Sequence, residues 1–143
     1  MLLWLRKLLG LKSPDATGER GERLAAEWLQ RERAFVVIAR NWRSPRDRRD
    51  EIDLVCRDGE ALVFVEVKAR AADALVPGYH AVDARKKRVL RRAAEVYLRR
   101  LAEKPRTFRL DVVEVAFPAA DSASPPEILH FENIPLFPKH FRP

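Results

Sequence analysis

Residues 51–68 read Glu51-Ile52-Asp53-Leu54-Val55-Cys56-Arg57-Asp58-Gly59-Glu60-Ala61-Leu62-Val63-Phe64-Val65-Glu66-Val67-Lys68, two β-patterned runs joined through Asp58-Gly59. Asp-Gly between such runs signals a hairpin, because both residues tolerate the positive φ of a tight turn. With Asp58-Gly59 as a two-residue turn, Arg57 pairs with Glu60, Val55 with Leu62, Asp53 with Phe64 and Glu51 with Glu66. Side chains alternate along a strand. Glu51, Asp53 and Val55 therefore share a face with Leu62, Phe64, Glu66 and Lys68, while Ile52, Leu54, Cys56, Val63, Val65 and Val67 line the other. The second face is wholly apolar and belongs to a core; the first is apolar near the turn and charged away from it.

Like charges facing each other across strands are destabilising, and this register sets Asp53 diagonal to Glu66, within reach of a shared ion. A hard divalent cation compensates directly, since Mg²⁺ takes one or two carboxylates, waters and a substrate phosphate. Lys68 points the same way and can orient a water or neutralise charge developing on a phosphate. The plainer outcome is a set of solvated strand charges with Lys68 pairing Glu66. Against it, Leu62 and Phe64 require that this face be covered, so the charged end borders a covering element.

Upstream, Thr17 caps a predicted helix running to about Arg33, with Leu24, Ala25, Trp28 and Leu29 at helical spacing. Glu22 shares their stripe near the helix N-terminus, where the dipole favours an anion. Phe35 to Trp42 reads as a strand, and Arg43 to Asp50 as a basic loop. Downstream, the stretch from Ala69 to Val82, with Pro77 and Gly78, reads as irregular. Asp83 caps a second helix whose apolar face is Val89, Ala93, Val96, Tyr97 and Leu101, and Pro105 ends it. Phe108 to Phe117 is a last strand, with Val113 and Val115 alternating against Glu114. Six of the ten prolines follow Phe117, so the chain from Pro118 reads as an extended tail.

The order helix, three strands, helix, strand predicts an α/β fold, since the fourth strand can join the sheet only through a helix crossover, giving a mixed sheet. Three segments follow: an amphipathic N-terminal stretch (1–14), one domain (15–118) and a Pro-rich tail (119–143).

Apolar residues make up 47% and charged residues 34% of the 143, too apolar for disorder and too charged for a membrane protein. The net charge is +7. From Arg85 to Lys104 the chain carries nine Lys or Arg against Glu95 and Glu103, so the second helix holds the whole excess. Such a stripe suits a phosphate backbone, with Lys86, Lys87, Arg91 and Arg92 as the expected contacts, although a solvated helix face can look the same. Cys56 is the only cysteine, which excludes an intramolecular disulfide and a cysteine-based zinc cage and fits the cytoplasm. Met1 to Lys12 is apolar but interrupted by Arg6 and Lys7, and it is too short to span a bilayer. His80, His130 and His140 lack metal-ligand spacing and are expected at the surface. Asp111 is expected to be structural, pairing with Arg109 or a helix, and Trp42 and Tyr79 to pack in the core rather than stack on bases.

Gly21-Glu22, Arg40-Asn41-Trp42-Arg43, Glu51-Ile52-Asp53-Leu54-Val55, Val63-Phe64-Val65-Glu66-Val67-Lys68-Ala69-Arg70 and Val82-Asp83-Ala84-Arg85-Lys86-Lys87 together resemble the YraN family of small bacterial proteins. That family is similar to the PD-(D/E)xK nucleases, and among them to the Holliday junction resolvases. The resemblance spans about Gly18 to Phe117. It implies a restriction-endonuclease-like core, with Asp53 and Glu66 carrying Mg²⁺ or Mn²⁺, Lys68 assisting the attacking water and Glu22 completing the acidic set. Glu51 matches as well. One departure is Asp50, where family members usually have Gly.

The expected activity is metal-dependent phosphodiester hydrolysis in structured or branched DNA. The alternatives are a non-catalytic nucleic-acid-binding module of nuclease fold within a larger complex, and an interaction protein that docks through its termini. A homodimer would present two sites to two strands.

Overall fold

The computed structural model describes residues 16–71 and 82–143. The N-terminal amphipathic segment, and Pro77, Gly78, Tyr79 and His80, lie outside the described residues. Five strands pair in chain order: β1 (Val36–Arg43), β2 (Glu51–Asp58), β3 (Ala61–Ala71), β4 (Thr107–Phe117) and β5 (Glu127–Ile134). Among the described residues two helices pack on the sheet, α1 (Ala16–Arg33) and α2 (Ala84–Arg100). All neighbours are antiparallel except β3 and β4, which run parallel with α2 between them in the chain, as the crossover requires.

α1 starts at Ala16, so Thr17 sits in its first turn rather than at its cap. Asp83 does cap α2, its carboxylate accepting the Lys86 backbone N–H at 2.8 Å. At the other end of α2, the Lys104 ammonium donates to the carbonyls of Leu98, Arg99 and Leu101. Lys104 thus belongs to the helix terminus rather than to a basic stripe.

The core has two halves. On one side Ala25, Ala26 and Leu29 of α1 pack on Leu54, Cys56, Val63, Val65, Val67, Val113 and Val115. On the other, Leu90, Ala93, Ala94 and Leu98 of α2 pack on Val55, Leu62, Phe64, Leu110 and Val112. The buried stripe of α2 is therefore turned from the expected one: Leu90, Ala94 and Leu98 occupy its centre, and Val89 and Val96 fall on its margins. Truncating a buried leucine such as Leu98 to Ala costs about 2–5 kcal/mol. β4 is buried on both faces, as a strand paired on both edges between two helical layers must be. Glu114, expected to alternate outward, is buried instead and pairs with Arg70 at 2.8 Å.

The hairpin turn is Gly59-Glu60 rather than Asp58-Gly59. Asp58 pairs with Ala61, and of the two turn residues only Gly59 takes positive φ, 58°. The pairing moves by two residues, so that Val55 faces Phe64 and Arg57 faces Leu62. An even shift leaves side chains on their own faces, which is why the split into two faces survives the wrong register. Ile52 is the exception: it packs on the α2 side with Val55, apart from Leu54 and Cys56. The paired ladder ends at Leu54–Val65, and beyond it the Asp53 carboxylate, not a backbone carbonyl, accepts the Val67 N–H at 2.8 Å.

The segment read as an extended tail contains β5, which pairs with β4 through Val113–His130 and Val115–Ile128. Beyond it, Leu136, Phe137 and Phe141 pack against the α2-side core, Phe137 at 4.8 Å from the Phe108 ring. His130 is not a surface residue. Its side chain is 3% exposed, and Nε2 lies 2.9 Å from Asp111. Asp111 also accepts from Arg109 and from the Asn133 N–H, and Arg109 reaches Asp58 across the sheet. Trp42 packs edge-on against Tyr97 at 5.2 Å.

Candidate active site

Asp53 stands where β2 and β3 cease to pair, and continuing their register puts it opposite Glu66 rather than diagonal to it. Its carboxyl is held well above the usual carboxylate range, first by burial and then by the neighbouring Glu66; the Val67 N–H pulls the other way. Glu66 is buried on β3. Its Oε1 lies 3.2 Å from the Lys68 ammonium and 3.4 Å from that of Lys86, whereas its Oε2 is buried without a hydrogen-bond partner among the described residues. A buried carboxylate oxygen left unpaired costs about 1–3 kcal/mol or more.

Glu22 approaches from α1. Its seat depends on Gly21: a Cβ there would lie 2.7 Å from the Ala69 Cβ, so only glycine lets α1 come this close to β3. The Glu22 carboxyl is raised by burial and by Glu51, an effect opposed by a hydrogen bond from Asn41. With its orientation assigned from the hydrogen-bond network, the Asn41 amide donates to Glu22 Oε2 at 2.9 Å and to Glu51 Oε1 at 3.0 Å. Asn41 falls opposite Asp53 in β1 and has a φ of 50°, a left-handed conformation that Asn tolerates better than its Val and Ile neighbours would. Glu51 in turn lies 3.5 Å from Arg43.

Glu22, Asp53, Glu66 and Lys68 are thus brought together at one end of the sheet, with Glu51 alongside. Asn41 was missed from sequence; the signal available was a polar residue interrupting a β-branched strand. Lys86, assigned from sequence to phosphates, reaches Glu66. Arg92 is held by Asp50, with which it makes two hydrogen bonds of 2.9 and 3.1 Å, and Arg91 leans on Glu95 at 3.9 Å. Asp50, buried at 6% exposure, therefore ties the 44–50 loop to α2. Beside the carboxylates a groove of about 770 Å³ is lined by Arg49, Arg85, Lys86, Arg88 and Arg92, with Asp47, Asp50 and Asp83. Arg85 and Arg88, omitted from the sequence-based contacts, are exposed in it.

Among the described residues no three Asp, Glu, His or Cys side chains already form a metal cage. Among the same residues no helix is long and apolar enough to cross a membrane.

A mixed five-stranded sheet with a helix packed on each face is a restriction-endonuclease-like core. The chain belongs to the uncharacterised protein family UPF0102, whose model matches residues 21–115. It is 43% identical to a UPF0102 protein of Beutenbergia cavernae over 79% of this chain and 92% of that one. A UPF0102 protein of Symbiobacterium thermophilum is 48% identical over 68% of this chain and 80% of its own length. One from Anaeromyxobacter dehalogenans is 41% identical over 82% and 81%.

Proposed function

We propose that this protein is a divalent-metal-dependent endonuclease that hydrolyses phosphodiesters in structured or branched DNA. The observation that carries the proposal is the buried, partnerless Oε2 of Glu66 beside the Asp53 carboxylate. Two acids in repulsion, one with an oxygen that lacks a hydrogen-bond partner, fit Mg²⁺ or Mn²⁺, which Asp53 and Glu66 would hold. The ion, when bound, supplies Lewis-acid polarisation of the phosphate and lowers the pKa of a water.

The chain's own residues do the rest. Lys68, partly exposed and already at Glu66, orients the attacking water and offsets the negative charge that builds on the phosphate. Glu22 and Glu51, bridged by the Asn41 amide, shape the acidic rim of the site. Arg85 and Arg88, free of the ion pairs that engage Arg91 and Arg92, grip the DNA backbone along the groove.

The test is a cleavage screen of the purified protein on linear, single-stranded, flap and four-way-junction DNA with Mg²⁺ and with Mn²⁺. Cleavage by wild type that falls at least about 100-fold in Lys68→Ala is expected, since acid–base and electrostatic groups contribute on that order. Tight binding with no cleavage of any substrate would instead assign the non-catalytic binding module.

A further inference from the structure

Lys86 belongs to two places at once. It lines the basic groove, and its ammonium sits 3.4 Å from the same Glu66 oxygen that Lys68 contacts at 3.2 Å. Two ammonium groups thus crowd one carboxylate oxygen while the other oxygen has none. The two lysines are not equally held. Lys68 rises from β3 two residues after Glu66, with a 27% exposed side chain; Lys86 rises from the first turn of α2 with a 36% exposed one. A dication on the Oε2 side draws on the same carboxylate charge and repels both ammonium groups. Lys86 is the one with somewhere to go, because its flexible four-carbon stem already borders the groove beside Arg85 and Arg88.

We infer that Lys86 is an exchanging lysine: it neutralises Glu66 in the metal-free protein and is handed to a nucleic-acid phosphate when a divalent metal takes Glu66. The inference rests on the metal-site reading above. It makes metal and nucleic acid mutually reinforcing ligands, since each favours the same position of one side chain. It also gives Lys86 two effects of opposite sign, a competitor for metal and a contact for phosphate, which a purely structural lysine would not have.

The experiment measures Mn²⁺ affinity by calorimetry, and duplex DNA binding in Ca²⁺ and in EDTA across a salt series, on the full chain. Wild type, Lys86→Gln and Arg100→Gln are compared; the last removes one charge from the same helix about 21 Å away. Lys86→Gln should bind Mn²⁺ roughly tenfold more tightly, the direction expected when one positive charge near a dication is removed. Its log–log salt slope for DNA should lack the increment of about 0.9 that Ca²⁺ adds through this lysine in wild type. Arg100→Gln should match wild type in Mn²⁺ affinity. Unchanged or weaker Mn²⁺ binding by Lys86→Gln, or an equal Ca²⁺-dependent slope increment in both proteins, overturns the exchange. Failure of wild type itself to bind Mn²⁺ overturns the metal site instead, so the two failures are told apart.

Discussion

Replacing Gly21 by Ala tests how α1 delivers Glu22 to the sheet. On a solvent-exposed helix position this change stabilises by about 1 kcal/mol through helix propensity. Here the added Cβ would meet the Ala69 Cβ at 2.7 Å, while ordinary contact begins at 3.4 Å, so the two backbones must part by at least 0.7 Å. The obstructing atom is a Cβ on a paired strand, not the end of a flexible side chain, and cannot swing aside. Overpacking of this kind costs about 1–3 kcal/mol. Set against the propensity gain, the net loss is about 1 kcal/mol, a fall in Tm of roughly 4 °C for a chain of this size.

A double-mutant cycle with Ala69→Gly isolates the contact. Removing the obstructing Cβ should return most of the overpacking loss, giving a coupling of at least about 1 kcal/mol. The assay is denaturant or thermal unfolding of the four proteins. Because Glu22 follows Gly21 directly, any cleavage activity should fall in Gly21→Ala by more than the stability loss explains; displacements of about 1 Å can cost two orders of magnitude. A Gly21→Ala protein more stable than wild type by about 1 kcal/mol would refute the reasoning, since propensity alone would then govern the site and α1 would not be wedged against β3.

Asp111 gives a pH signature: burial alone would raise its carboxyl, but hydrogen bonds from His130, Arg109 and the Asn133 N–H outweigh it and hold the group below the usual carboxylate range. A depressed folded pKa contributes stability above the unfolded value of about 3.9 and loses it as pH falls through the folded one, so unfolding followed from pH 7 to 2 should show a decline below about pH 4 that is flatter in Asp111→Asn. At pH 7 that variant should be less stable by about 3 kcal/mol, the order expected for breaking a buried pair. Ala34, just after α1, has a φ of 56°, where an L side chain is strained, and Ala34→Gly should raise stability by about 0.5–1 kcal/mol in the same unfolding assay. On duplex DNA, Arg85→Gln with Arg88→Gln should flatten the salt slope by roughly 1.8, two contacts at about 0.9 each. The pair Arg91→Gln and Arg92→Gln, whose partners are Glu95 and Asp50, should change it less, as fluorescence anisotropy across a salt series will show.

The hairpin and its charged end were legible because alternation is local and survives a register error of two. The turn itself was not, since Asp58-Gly59 and Gly59-Glu60 both place glycine where positive φ is needed. The convergence of Glu22 with Asp53 and Glu66 was readable from an acid on an apolar helical stripe. Asn41 and Lys86 were not placed there, because each arrives through pairings far apart in sequence: β1 across β2, and the crossover that lays α2 beside β3. β5 was hidden by composition, as Pro125, Pro126 and Pro135 made the whole segment look extended although they stand outside the strand, where proline is tolerated. The α2 stripe was misread because Val89 and Val96 offered a second apolar row beside that of Leu90, Ala94 and Leu98.

Thermal unfolding with and without Mg²⁺ tests, without any knowledge of the substrate, whether Asp53 and Glu66 hold a metal. Asp53→Asn keeps an oxygen to accept the Val67 N–H and removes the repulsion with Glu66, so in EDTA it should be as stable as wild type or slightly more so. Wild type should gain RT ln(1 + [L]/Kd) on adding Mg²⁺, about 2.7 kcal/mol at one hundred times Kd, and Asp53→Asn should gain nothing. A wild-type protein that shows no shift up to about 10 mM Mg²⁺, well above the roughly 1 mM Kd equivalent to −4.1 kcal/mol, or an equal shift in Asp53→Asn, would contradict the account.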